Sequence, residues 1–101
     1  MEKGDLRRNP RSQVAAPVQL SWTDRNGNER LVSARVVDIS ENGMRVESPE
    51  PMVPGAYVNF RAERLKLQGS ASVRSCKKHG TKYLAGLEFG GGLKWRPKQE
   101  A

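Results

Sequence analysis

The sequence predicts an all-β domain, a small antiparallel barrel or tight sandwich, and three observations carry that prediction. Apolar and polar residues alternate with a period of two along several short runs. Clusters of Gly, Pro, Asn and Asp punctuate these runs at close spacing, as turns between strands do. No segment carries a convincing amphipathic helix. A chain of 101 residues is the size of one domain. Its 36% hydrophobic content and mean hydropathy of -0.74 fit a modest core rather than that of a large enzyme.

Residues 1–13 are polar, contain Gly4 and Pro10 and follow neither periodicity, so they are expected to form an arm, flexible unless something holds it. A first strand starts at Val14, with Val18, Leu20 and Trp22 alternating with Gln19, Ser21 and Thr23. Residues 24–28 supply a hairpin turn whose Asn26-Gly27 step tolerates positive φ. On the returning strand Val32, Ala34, Val36 and Asp38 share one face, and Leu31, Ser33, Arg35 and Val37 the other. Residues 38–43 interrupt the alternation and read as a loop, after which residues 43–48 form the third strand.

Residues 49–55 hold three prolines and connect rather than pair. The fourth strand is expected over 56–62 and a longer fifth over 65–78, with Leu65, Leu67, Ala71 and Val73 on its core side and a bend at Gly69. Cys76 is out of phase with those four and joins them only across a bulge. After a turn at 79–81 the last strand covers 82–89. The triplet Gly90-Gly91-Gly92 disfavours a helix and leads into a basic tail whose Trp95 is expected to cap the open end or to hang free. The chain thus divides into an arm (1–13), a barrel (14–89) and a tail (90–101).

Composition excludes much chemistry. Cys76 and His79 are the only residues of their kinds, so an intrachain disulfide, a multi-cysteine zinc site and Ser/His or Cys/His catalysis are not expected. Three apart on one strand, they face opposite sides. With a single histidine, no transition-metal site is expected either. No run approaches the ~18 to 20 apolar residues of a membrane span, and the polar start is no signal peptide, so a cytoplasmic location is expected. A net charge of +7 and a pI near 10.1 favour an anionic partner. Lys77, Lys78 and Lys82, like Lys94, Arg96 and Lys98, read as solvated clusters.

Two polar motifs sharpen the class of partner. Arg7-Arg8-Asn9-Pro10-Arg11 offers three guanidinium forks that match phosphate oxygens and the O6/N7 edge of guanine. Pro10 restricts Asn9 to extended conformations, which trims the arm's freedom before binding. In Asp38-Ile39-Ser40-Glu41-Asn42-Gly43, an ionised Asp38 can accept from guanine's N–H edge, Ser40 can donate and accept, and Gly43 admits a sharp turn and a close backbone approach.

These motifs carry a resemblance. The chain resembles the PilZ domain, a bacterial receptor module for cyclic di-GMP, over nearly its whole length. Arg7 and Arg11 fill that family's R-x-x-x-R before the first strand, and Asp38, Ser40 and Gly43 fill its D/N-x-S-x-x-G after the second. Gly55 and the run Gly86-Leu87-Glu88-Phe89 also look like the family's pattern. The resemblance implies a six-stranded antiparallel barrel whose arm wraps over cyclic di-GMP, a binding domain rather than an enzyme, with no catalysis and no cofactor besides that ligand. It implies that Arg7 and Arg11 contact phosphates and guanine edges with help from Arg8, that Asp38, Ser40 and Gly43 hold a guanine, and that Gly86 adjoins the ligand. A barrel bend is the plainer reading of Gly86. Many relatives end in a helix that the triple glycine here disfavours. A downstream protein partner, in motility, polysaccharide synthesis, adhesion or virulence, is implied without being identified.

Arg35, Arg45 and Arg74 read as solvated outer-face charges rather than secondary contacts. Two other functions fit less well: a basic barrel binding RNA or DNA nonspecifically, and a protein-interaction module that has lost the ligand. The first needs aromatic residues displayed on a strand platform, yet Trp22, Tyr57, Phe60, Tyr83 and Phe89 are scattered singly like core residues. The second is disfavoured by the complete motif.

Overall fold

The computed structural model describes residues 12–95. They form β1 (Ser12–Thr23), β2 (Glu29–Ser40), β3 (Gly43–Ser48), β4 (Tyr57–Ala62), β5 (Leu67–His79) and β6 (Lys82–Phe89), with one 3-10 turn at Glu63–Leu65. All pairs are antiparallel, and the order β1-β2-β3-β6-β5-β4 closes into a barrel because β4 returns to β1 with Phe60 opposite Leu20. Closure satisfies the strand edges that an open sheet would expose.

Alternation sorts the side chains. In β4, Val58, Phe60 and Ala62 are buried while Tyr57, Asn59 and Arg61 face solvent. Val18, Leu20, Val36, Ile39, Met44, Val46, Val73 and Leu87 fill the interior, each fully buried aliphatic contributing ~1.5 to 3 kcal/mol. Phe60 and Phe89 stack across the core with centroids 5.5 Å apart. Lys77, Lys78 and Lys82 are exposed, as expected of a solvated cluster.

Three bulges break the alternation, and each changes a residue's role. In β2, Val36 faces Val46 and Asp38 faces Arg45, which leaves Val37 as the extra residue. Val36 and Ile39 therefore both enter the core, and Asp38 turns to the outer face beside Arg45, not to the face of Val36 that simple alternation gives it. In β5 the register shifts between Val73 and Ser75. Cys76 is thereby brought against the core, where its sulfur accepts the Met52 N–H at 3.4 Å. In β1 a shift between Gln13 and Ala16 sets Gln13 opposite Asp38, so this strand starts two residues before the alternation becomes visible.

Two other local expectations change. Residues 38–43 are not a loop: Asp38, Ile39 and Ser40 end β2, Gly43 begins β3, and only Glu41 and Asn42 turn the chain. Gly69 pairs with Phe60 in an unbroken register and marks no bend. A Cβ there would come within 3.0 Å of the Leu93 side chain, so the missing side chain makes room for the C-terminal segment.

That segment covers one end of the barrel. Gly91 and Gly92 adopt φ of +64° and +78°, conformations that glycine takes without steric cost, and they fold residues 93–95 back. Leu93 and Trp95 pack against the core. The Trp95 N–H donates to the Glu41 carbonyl at 2.9 Å, and Lys94 Nζ donates to Asn42 Oδ1 at 2.7 Å. Trp95 is thus a cap, and the tail is held on both residues of the β2–β3 turn.

Candidate functional site

The bulge in β2 creates a transverse row on the outer face. Reading across the strands, Gln13, Asp38, Arg45, Gly86 and Ser75 lie opposite one another. Ser40, Gly43 and Glu88 form the row nearer the capped end. The second motif, on the adjacent strands β2 and β3, and Gly86, on the sequence-distant β6, are therefore brought onto one patch.

Asp38 is a buried carboxylate, only 2% exposed. Arg45 Nε donates to its Oδ2 at 2.8 Å, and Nη2 reaches the same oxygen. This hydrogen bond raises the pKa of the Arg45 guanidinium above its usual value, against a smaller opposing effect of burial. The Arg45 side chain remains 44% exposed. It therefore pairs with Asp38 while presenting a cationic surface to solvent. Reading Arg45 as a solvated charge is corrected by this contact. The signal was in the sequence: counting outward from a two-residue turn pairs 40 with 43, 39 with 44 and 38 with 45. Arg35 and Arg74 are the exposed charges expected, paired with Glu47 at 3.3 Å and Glu88 at 3.1 Å.

Ser40 is buried, and its hydroxyl donates to the Gly43 carbonyl at 3.3 Å, closing the turn. Its lone pairs remain acceptors. Gly43 does not have positive φ, so its requirement is not a sharp turn. A Cβ would sit 2.2 Å from the Leu87 carbonyl oxygen, and only glycine lets β3 approach β6 this closely. Gly86 differs. A Cβ there would meet only the Ser75 hydroxyl, at 2.9 Å. Between Arg45 and Ser75 it leaves a strip of bare backbone, a shelf against which a planar group can lie.

Arg7, Arg8 and Arg11 lie outside the described residues. The described chain starts immediately after Arg11, at Ser12, which pairs with Ile39 beside the Asp38 row. Among the described residues no group of three or more His, Cys, Asp or Glu is placed to hold a metal ion. No helix among them is long and apolar enough to cross a membrane.

The PilZ domain family model matches residues 5–97, which takes in the arginine motif, the barrel and the cap. This chain belongs to the PilZ domain family. Its fold matches that of Klebsiella pneumoniae MrkH, solved as a complex with c-di-GMP, at a TM-score of 0.64 and 16% identity, covering 87% of this chain and 46% of MrkH. It also matches the PilZ domain of Escherichia coli YcgR, solved with c-di-GMP, at a TM-score of 0.62 and 14% identity, covering 86% of this chain and 79% of that one. At such identities the likeness is one of fold, and the chain spans about half the length of MrkH. No curated protein sequence matches the chain. Within the PilZ barrel, the Asp38–Arg45 pair and the Gly86 shelf are how this sequence furnishes the outer face.

Proposed function

We propose that this chain is a receptor domain for cyclic di-GMP, a binding module rather than an enzyme, acting in bacterial second-messenger signalling. One observation carries the reading: in a PilZ barrel, a buried carboxylate, a buried hydroxyl, an exposed guanidinium and a bare glycine strip converge on one face. Asp38 accepts from the N–H edge of a guanine, and Ser40 accepts beside it. The planar base lies along Gly86, and Arg45 holds the Asp38 carboxylate in place. Arg7, Arg8 and Arg11 supply forks for the two phosphates and the second guanine, a task that suits planar bidentate donors better than lysines. The net charge of +7 draws the dianion in. The receptor works in the cytoplasm and passes its state to a protein partner.

The nonspecific nucleic-acid reading loses ground. Phe60 and Phe89 stack inside the core, and Tyr57 is the one strongly exposed aromatic among the described residues. That is no stacking platform.

Calorimetric titration with cyclic di-GMP, cyclic di-AMP and mixed oligonucleotides tests the proposal. Cyclic di-GMP is expected to bind with marked preference over cyclic di-AMP, because adenine offers a donor where guanine offers O6 to an arginine fork. Binding is expected to weaken with salt less steeply than DNA binding does, since a dinucleotide has no condensed counterion atmosphere to release. Equal affinity for both dinucleotides, or a polymer-like salt slope with oligonucleotides, overturns the assignment.

A further inference from the structure

The barrel end remote from the cap carries a cleft of about 630 Å3 between the tip of the β1–β2 hairpin and the linker after β3. Trp22, Met52, Val58 and Val73 give it an apolar lining, and Val53 at its lip is 65% exposed. That volume lies within the ~300 to 1,000 Å3 typical of small-molecule sites, which combine apolar walls with a few placed polar groups. Arg30 and Asp38 are eight residues apart on β2, or ~26 Å at ~3.3 Å per residue. The cleft is therefore separate from the Asp38 face and shares no residue with it.

The charges at its mouth are unequal in availability. Arg30 and Glu50 face each other at 2.5 Å and neutralise one another. The Asp24 carboxylate accepts the N–H groups of Asn26 and Asn28, both at 2.9 Å, and so stabilises its own turn. Arg25 lines the mouth, is exposed, and makes no ion pair with another described residue. The cleft thus combines an apolar wall with one uncommitted guanidinium. Arginine is weakly hydrated for a cation, and its planar fork matches a carboxylate or sulfonate at two points.

We infer that this cleft is a second binding site, for a small amphipathic anion whose aliphatic or aromatic body seats on Trp22, Met52 and Val58 while its carboxylate or sulfonate pairs with Arg25. The inference is independent of cyclic di-GMP recognition. A long-chain monocarboxylate and an aryl sulfonate share the required chemistry.

The test titrates the full chain with anilinonaphthalene sulfonate and with sodium decanoate, followed by dye fluorescence and by nitrogen–proton correlation spectra. One saturable site is expected. Shifts should concentrate at the Trp22 indole, Arg25, Arg30 and residues 52–56, with Asp38, Ser40 and Gly43 unmoved, and decanoate should displace the dye. Arg25→Glu and Val53→Glu alter exposed positions that the fold does not depend on, and each should weaken both ligands several-fold while the melting temperature holds. Absence of saturable binding at millimolar ligand overturns the inference. So do shifts spread through the barrel core, which would mean dye entering a loosened fold, and decylamine binding as tightly as decanoate, which would remove the role of Arg25.

Discussion

Replacing Gly43 and Gly86 in turn by alanine separates two uses of glycine on the ligand face. In Gly43→Ala the new Cβ lies 2.2 Å from the Leu87 carbonyl oxygen, where even a close C–H···O contact needs ~3.3 Å. β3 must then retreat from β6 by about 1 Å, where the buried side chains of Met44 and Leu87 pack. Overpacking of this kind costs ~1 to 3 kcal/mol, and a lost ladder hydrogen bond adds ~1 kcal/mol. At ~4 to 8 °C per kcal/mol for a domain of this size, the melting temperature should fall by roughly 10 to 30 °C. In Gly86→Ala the neighbour at 2.9 Å is the Ser75 hydroxyl, which can rotate away, so the loss should stay below ~1 kcal/mol. Yet its methyl group stands on the shelf proposed for guanine, and affinity for cyclic di-GMP should fall roughly tenfold, from ~1 to 3 kcal/mol of crowding. Thermal melts followed by circular dichroism, together with calorimetric titration of each variant, read both effects. A Gly43→Ala protein melting within a few degrees of wild type refutes the steric argument. A Gly86→Ala protein that binds normally, or that unfolds, means the glycine serves the barrel's shape and not the ligand.

Further substitutions probe the rest of the site. Asp38→Ala should remove most cyclic di-GMP affinity while leaving a cooperative melt, and loss of binding through unfolding alone would make the row structural. Arg45→Met takes a donor from a buried carboxylate; the cost should be ~1 to 2 kcal/mol in urea denaturation, below that of a fully buried pair because the guanidinium is 44% exposed, and an unchanged midpoint would show that the pair contributes nothing. Arg7→Lys and Arg11→Lys keep charge but lose the planar fork, so each should weaken cyclic di-GMP by ~1 to 3 kcal/mol in calorimetry, and wild-type affinity would reduce these residues to a diffuse positive charge. Trp95→Ala removes a half-buried cap and should lower stability by ~1 to 2 kcal/mol, with faster amide exchange at Phe89, whose N–H is bound to the Asn42 carbonyl; unaltered exchange would show that the cap does not brace the turn.

Much of the fold is written locally. The period-two runs, the Asn26-Gly27 turn and the proline-rich connection mark the strands almost to the residue, because alternation and turn chemistry depend on neighbours in the chain. The two motifs are likewise legible as residue types in order, and a two-residue turn makes Arg45 the partner of Asp38 by counting alone. What the chain could not announce was set by contacts between distant segments. Bulges at Val37 and Arg74 arise only when strands pair, and they decide that Asp38 faces outward and that Cys76 meets the core. Gly43 is required by a carbonyl 44 positions away at Leu87, and Gly69 by a leucine that returns with the cap. The cleft beside Trp22 exists because the hairpin tip and the linker after β3 meet at one barrel end. Registers, close approaches and cavities are properties of the closed barrel, since closure fixes distances between residues that sequence separation leaves free.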